Sequence, residues 1–369
     1  MKILLVGAGG YASGYVKSLL SPKSDVTWEG IVDPYWESSK VKDLIVASGV
    51  PIYDTMEEFY STHTADLAVI CTPPFLHRIQ SECALSHGSY VLCEKPIAPT
   101  EEDARAMREA EARYGKWIAV GYQWSFSDAI TGLKRDIRSG VLGAPISMKT
   151  AISWPRSRAY YGRGTGWGGR IERDGVKIYD SIASNACAHY LHNMLFLLGD
   201  GSDAAADVES LTGECFRANA IESFDTCALR MTAKGVPLYF IASHAAEKNR
   251  DPEFVYTFEN AVVTFSEDGD STIRATFSDG REISYGDPFE NNFKKLWDCV
   301  RAVETGERPI CTAETASAHT RLIGRLHETL PIRDFPEEAV KMNGDYMYVE
   351  GLYDRMYRAY ADMRLLSET

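Results

Sequence analysis

Gly7-Ala8-Gly9-Gly10-Tyr11-Ala12 follows the apolar run Ile3-Leu4-Leu5-Val6 without an intervening residue, and no other segment limits the possible folds as much. A short apolar run that ends on glycines and passes into a segment of helical periodicity reads as strand, tight turn and helix. Within the G-x-G-x-x-A spacing, Gly7 permits the turn, Gly9 lets backbone come close to an anion, and Ala12 is small enough for the helix to pack on the strand. The free N–H groups of the helix N-terminus point at the same place, so the unit is a cradle for the pyrophosphate of a dinucleotide. Asp33 stands 21 residues after Ala12, at the end of a second apolar run over residues 27–32. A carboxylate there accepts hydrogen bonds from the adenosine ribose hydroxyls and repels a 2′-phosphate, and Pro34-Tyr35-Trp36 offers no arginine, so NAD is expected as cofactor. A turn carboxylate without a ligand is the other role open to Asp33.

Further apolar runs at 67–71, 90–93 and 118–121, and a weaker one at 51–53, alternate with amphipathic segments up to residue 121. Thr55-Met56-Glu57-Glu58 and Thr100-Glu101-Glu102-Asp103 supply hydroxyls and carboxylates that cap free amides, as helix starts do. This alternation predicts an α/β domain on a doubly wound parallel sheet of Rossmann type. Past Gly121 the period changes. A helix over 128–138 leads into a strand in which Ile146, Met148, Ile152 and Trp154 alternate with more polar residues, which predicts one buried face. A glycine-rich loop at 162–169, a helix over 181–198 and alternating strands with turns at Glu259-Asn260 and Ser278-Asp279-Gly280 follow. A helix over 289–305 carries Phe293, Leu296, Trp297 and Val300 on one stripe. The expected layout is a dinucleotide domain at 1–121, an α+β substrate and oligomerisation domain at 122–330 on an open, mostly antiparallel sheet, and a helical extension at 331–369. An open sheet leaves a broad face that two-fold pairing usually buries, so a homodimer or homotetramer is expected.

Composition narrows the partners. With 369 residues the chain exceeds the size at which one core usually stops growing, and 39 basic against 52 acidic residues give a charge of −13. Such a field repels nucleic acid and anionic membranes, and neither is expected as a partner. No apolar run approaches the roughly 20 residues of a membrane-spanning helix, and the first one stops at Gly7, too short for a signal peptide. Eight cysteines lack any Cys-x-x-Cys pair, and Cys71, Cys93 and Cys227 lie in apolar runs, which predicts buried thiols and a cytoplasmic location.

Cys71-Thr72-Pro73-Pro74-Phe75-Leu76-His77 lies at the end of the run 67–71, where open α/β sheets place ligands, and Glu94-Lys95-Pro96 ends the following run. Together with the Gly7 fingerprint, Gly121-Tyr122-Gln123-Trp124-Ser125-Phe126, the Leu142-Gly143 turn and Leu197-Leu198-Gly199, these segments make the chain resemble the glucose-fructose oxidoreductase and inositol dehydrogenase family over most of its length. The resemblance implies NAD-dependent dehydrogenase or reductase activity on a CH–OH group of a sugar, inositol or related polyol. It implies that Lys95 and His189 flank the reacting carbon, with Asn185 one turn before the histidine. It further implies cofactor contacts from Gly7, Gly9, Gly10, Tyr11, Ala12, Asp33, Thr72, Pro73, His77, Glu94, Lys95 and Gln123. Asn185 departs from the family's usual aspartate, and an amide orients but does not carry a proton, a task left to Asp180 or to no residue. Trp124-Ser125 replaces arginines often found there.

The chemistry agrees with the residue types. An alcohol loses a proton as it loses hydride, so a near-neutral histidine suits the base and an ammonium stabilises the developing alkoxide. In a continuous helix Asn185, His189 and His192 fall at i, i+4 and i+7, on one face. Zinc is disfavoured, since that spacing turns Cys187 away from the two histidines and no H-E-x-x-H pattern occurs. Tyr122, Trp167 and His192 are the candidate substrate contacts. In the loop Arg163 to Arg170 an aromatic plane and two guanidinium groups suit a lid or a sugar platform. Two alternatives keep the fold: an NAD-dependent glycosidase that uses transient redox, and a non-catalytic NAD-sensing regulator.

Overall fold

The computed structural model describes residues 1–21, 26–162 and 166–369. Its first unit comprises residues 1–126 and 291–317. Ile3, Leu4, Leu5 and Val6 of β1 (Lys2–Val6) are all fully buried, as in a parallel strand with helices on both faces. The strands β2 (Thr27–Val32), β3 (Ile52–Tyr53), β4 (Leu67–Ile70), β5 (Tyr90–Cys93) and β6 (Ile118–Val120) match the apolar runs to within a residue or so. They form one sheet in the order β3-β2-β1-β4-β5-β6, with every pair parallel. The order reverses between β1 and β4, the switch point at whose carboxyl ends such sheets bind ligands. Between the strands run α1 (Ala12–Leu19), α2 (Lys42–Ser48), α3 (Met56–Thr62), α4 (His77–Ser86) and α5 (Glu101–Tyr114). The expected starts hold: Thr55 Oγ1 accepts from Glu58 N at 3.2 Å and Thr100 Oγ1 from Asp103 N at 3.1 Å.

The second unit comprises residues 127–290 and 318–369. It opens with α6 (Asp128–Arg138), β7 (Pro145–Ser153), the short α7 (Arg158–Tyr161), the small hairpin of β8 (Glu172–Arg173) and β9 (Val176–Lys177), and α8 (Ala188–Leu197). Then come β10 (Ser210–Arg217), β11 (Thr226–Ala233), β12 (Val236–Ser243), β13 (Arg250–Phe258), β14 (Ala261–Ser266), β15 (Ile273–Phe277) and β16 (Glu282–Gly286). The chain continues through α9 (Lys294–Thr305), α10 (Ala313–Thr329), β17 (Ile332–Asp334), the hairpin β18 (Val340–Asn343) and β19 (Tyr346–Val349), and α11 (Leu352–Asp362). Nine strands form one sheet, β16-β15-β14-β13-β7-β12-β11-β10-β17, in which only β7 with β12 and β10 with β17 pair in parallel. The expected open, mostly antiparallel sheet is borne out.

Three features differ from expectation. First, residues 291–317, with the Phe293 stripe, and residues 122–126 fall in the first unit, because their partners lie there; Phe293, for example, stacks on Tyr11 and meets Tyr15 edge-on. Second, β7 is buried on both faces from Thr150 to Ser153, and Ile146, placed on its buried face, is half exposed. The cause is a second covering layer. Third, residues 331–369 are not a purely helical extension but a strand, a hairpin and a helix that cover the unit's own sheet. Leu352, Met356, Ala359 and Tyr360 of α11 pack with Ala151, Ala228, Tyr239 and Ile241, all on one face of β7, β11 and β12. The helix is also capped at both ends: the carboxylate of Glu247, in the loop between β12 and β13, accepts from Gly351 N and Tyr353 N, and Lys149 Nζ of β7 donates to the carbonyls of Tyr360 at 3.2 Å and Ala361 at 3.0 Å. Over these strands the face thought to need a partner subunit is covered by the chain itself.

Tyr179, just before Asp180, has a left-handed backbone (φ +48). His327 of α10 stacks on its ring, with centroids 4.4 Å apart. Burial pulls the pKa of His327 from 6.5 down to about 4. The unfolded chain therefore takes up this proton first, so the stability is present above about pH 6.5 and is lost as pH falls towards 4. Between pH 7 and pH 5 the native protein should lose about 2 kcal/mol more than a His327→Gln variant in urea unfolding; equal losses would remove His327 as the cause.

Candidate active site

In the first unit Gly7 has φ +90, and a Cβ on it would lie 2.6 Å from the Cys71 carbonyl oxygen, so the crossing of the β1 and β4 ends admits only glycine. A Cβ on Gly9 or Gly10 would instead meet nothing within 4 Å. Beside them α1 begins without a side-chain cap and without an acidic residue in its first turn, whereas α3 and α5 have both. An uncapped, acid-free N-terminus next to open space fits a pyrophosphate. At the end of β2 the Asp33 carboxylate is fixed by two backbone donors, Ala8 N at 2.7 Å and Tyr35 N at 2.7 Å, which aim it at the same side of the loop. Tyr11, exposed beyond Gly10, donates from its hydroxyl to Gln123 Oε1 at 2.8 Å, and Gln123 Nε2 donates to Asn292 Oδ1 at 3.0 Å. Thr72 and Pro73 are partly exposed at the carboxyl end of β4, and Ala12 is fully buried.

The Glu94-Lys95-Pro96 segment divides its work differently from expectation. Lys95 is partly exposed, while Glu94 is buried and bonded on both oxygens. Its Oε1 accepts from Tyr15 Oη at 2.6 Å and from Lys295 Nζ at 2.5 Å, and its Oε2 accepts from Lys95 N at 3.2 Å. Glu94 thus holds the backbone of Lys95. His77 is likewise fully buried, with Nε2 2.9 Å from the Thr72 carbonyl and Nδ1 3.0 and 3.2 Å from those of Pro96 and Ile97. It ties the loop after β4 to the loop after β5. Burial lowers its pKa, against the three carbonyls that favour the proton. Tyr122 is also fully buried and presents no surface to a substrate.

Lys295 went unnoticed in the sequence. It lies on α9 yet is 0 % exposed, donates also to the Gly121 carbonyl at 3.0 Å, and has its ammonium 4.5 Å from the centroid of the Tyr11 ring. Burial would push its pKa down, but Glu94 and Tyr11 outweigh that and hold it above the ordinary lysine value. A Cβ on Gly121 would lie 2.8 Å from the Glu94 carboxyl, so that glycine makes room for the pair. The only sequence signal was a lysine beside an apolar stripe, which elsewhere marks a solvent-facing side chain.

In the second unit the expected helix over 181–198 starts at Ser181, in a capping box with Ser184, but its first turn is wide. Residues 182–186 are π-helical, Cys187 N donates to Ile182 O at 2.9 Å, and α8 begins only at Ala188. This extra residue shifts the register across Cys187. Asn185 and His189 remain partly exposed, whereas His192 is 1 % exposed and stacks on Phe196 among the core side chains. The expectation that all three share one open face is corrected, and His192 is no substrate contact. Burial, with His319 and Lys134 nearby, pushes its pKa well down. Asp180 joins two segments: its Oδ1 accepts from Asn185 Nδ2 at 2.9 Å and its Oδ2 from Gly169 N at 2.7 Å. Trp167 is partly exposed two residues before that contact. Arg170 pairs with Glu222 at 2.7 Å, and Arg163, Gly164 and Thr165 of the same loop lie outside the described residues.

Lys295→Met would leave the Glu94 carboxylate buried without its cation, and should cost about 3 to 5 kcal/mol in urea unfolding. Adding Glu94→Gln should recover part of that loss; strictly additive costs would show that the two groups do not interact.

Residues 1–122 match the model of the oxidoreductase family with an NAD-binding Rossmann fold. The chain is 28% identical over 181 residues to the rhizopine catabolism protein MocA of Rhizobium meliloti, covering 48% of this chain and 55% of that protein. It is 26% identical over 152 residues to inositol 2-dehydrogenase of Renibacterium salmoninarum, covering 41% and 45%. The matched segments thus span about half the length of these curated relatives. Among solved structures, the WlbA dehydrogenase of Bordetella pertussis in complex with NADH and UDP-GlcNAcA superposes with a TM-score of 0.75 at 19% identity, covering 89% of this chain and 95% of that one. That likeness is one of fold. No helix among the described residues is long and apolar enough to cross a membrane. Residues 1–122 are thus similar to the NAD-binding Rossmann fold of that oxidoreductase family.

Proposed function

We propose that the protein is an NAD-dependent dehydrogenase or reductase acting on a CH–OH group of a sugar, inositol or related polyol. The observation that carries this is the pairing of an uncapped, acid-free α1 N-terminus with a carboxylate fixed at the end of β2. The first suits a pyrophosphate and the second a ribose diol. The names of the relatives, an inositol dehydrogenase among them, support the substrate class. NAD, when bound, supplies the hydride acceptor. Gly7, Gly9, Gly10, Tyr11 and Ala12 would hold it with Asp33, Thr72, Pro73 and Gln123.

The chain's own groups then have simple tasks. The ammonium of Lys95, on backbone steadied by Glu94, stabilises negative charge on the substrate oxygen. His189 takes the hydroxyl proton as general base. Asn185, fixed by its donation to Asp180, orients the substrate. A cytoplasmic location and assembly into homo-oligomers are part of this proposal; the eight free cysteines support the first.

Because Asp33 repels a 2′-phosphate, NAD(H) should bind at least about tenfold tighter than NADP(H), roughly 1.4 kcal/mol; equal affinities in calorimetry would refute that preference. Lys95→Met and His189→Asn should each lower turnover by about two or more orders of magnitude, with NAD affinity nearly unchanged. Near-normal turnover of a confirmed substrate by both variants would reject the assignment. Net NADH formation in a screen of sugars and polyols separates a dehydrogenase from a glycosidase with transient redox.

A further inference from the structure

β7 and β12 run parallel, and backbone pairing continues past their carboxyl ends, where Trp154 N donates to Ser243 O at 2.8 Å and Arg156 N to His244 O at 3.1 Å. These bonds fix where the next side chains begin. The Trp154 ring meets Tyr190 edge-on at 5.7 Å, and Tyr190 follows His189 on α8. The guanidinium of Arg156 lies 5.3 Å from the Trp154 ring centroid and 5.3 Å from that of Tyr160. Arg156 thus belongs to the same end of the second unit as the proposed base, one ring beyond Tyr190.

Its partners are the unusual part. Among the described residues no carboxylate lies within ion-pair distance of Arg156, and its Nε is buried without a hydrogen-bond partner. Neighbouring arginines are satisfied: Arg158 pairs with Asp345 at 3.1 Å and Arg170 with Glu222 at 2.7 Å. What sets Arg156 apart is that its Nε is both buried and without an acceptor. The ring contacts leave Nε without an acceptor, and Nε lies on an edge of the planar group that can bind carboxylate or phosphate in bidentate fashion. Buried donors in native proteins almost always find an acceptor, and here the missing acceptor is of the kind a substrate carries.

We propose that Arg156 is a specificity residue that binds an oxyanion on the substrate, so that the preferred substrate is an acidic sugar derivative and not a neutral polyol. Trp154 and Tyr160 hold the guanidinium flat, and its free edge takes the anion. The placing of this anion in the active site rests on the dehydrogenase reading above, whereas the anion site itself does not.

The test is calorimetric titration of the full-length protein, with and without NADH, using matched acid and neutral pairs: glucuronate with glucose, gluconate with glucitol, and glucose 6-phosphate with glucose. At least one acid should bind about tenfold to a hundredfold tighter than its neutral counterpart, as a charge-assisted bond gives. The carboxylate and phosphate arms identify which oxyanion fits. Arg156→Gln should abolish that preference and change binding of the neutral sugar less than about twofold, while Arg156→Lys, which keeps the charge but not the fork, should keep part of it. Neutral sugars binding as well as acids throughout, or Arg156→Gln weakening both members of a pair alike, would overturn the proposal. Failure of every sugar to yield NADH would instead count against the dehydrogenase reading, and leaves acid binding to be judged by the titration.

Discussion

The ion pair of Lys295 with Glu94 is the interaction on which the cofactor side depends. Both groups are buried, and such a pair is tolerated only where further hydrogen bonds complete it. Here the Tyr15 hydroxyl, the Lys95 N–H and the Gly121 carbonyl do so. Four segments are fixed by one charge pair: α1, the end of β5, the end of β6 and the start of α9. The loop that approaches a dinucleotide and the backbone of Lys95 share this support, so neither can shift without disturbing the other.

Asp180 has a comparable place in the second unit. It bridges the amide of Asn185 and the backbone of Gly169, and so couples the π-helical turn to the base of the loop that carries Trp167. Gly169 has φ +71, and a Cβ there would lie 2.6 Å from Ile221, so no other residue fits without displacement. In place of the aspartate that the resemblance leads one to expect at 185, the chain has an amide with a carboxylate bonded behind it. Asn185 and Asp180 are thereby held as a fixed frame.

The sheet of the second unit illustrates how much a covering layer decides. Residues 331–369 lay a strand, a hairpin and a helix along the unit's own sheet, and α11 is held by a carboxylate at its first turn and a lysine at its last. An apolar sheet face must be covered by something, and a segment of the same chain does it without the entropy cost of bringing two molecules together.

The sequence by itself determined the Rossmann half. Parallel strands buried on both faces read as unbroken apolar runs, and capped helices announce themselves through local residue types, so strand positions, helix starts and the Gly7 loop with Asp33 were legible. The family resemblance of the motifs also pointed to Lys95, Asn185 and His189. Local spacing could not tell that Glu94, His77 and Tyr122, next to exposed residues in the same motifs, turn inward, because inward direction depends on what packs above them. Nor could it predict that Lys295 meets Glu94 across 201 residues of chain, that a π turn shifts Asn185 relative to α8, that His192 faces the core, or that α11 buries the second face of β7. Each of these is set by long-range packing, in which a side chain's neighbours come from elements far away in sequence, whereas turns, caps and strand runs are set by residues a few positions apart.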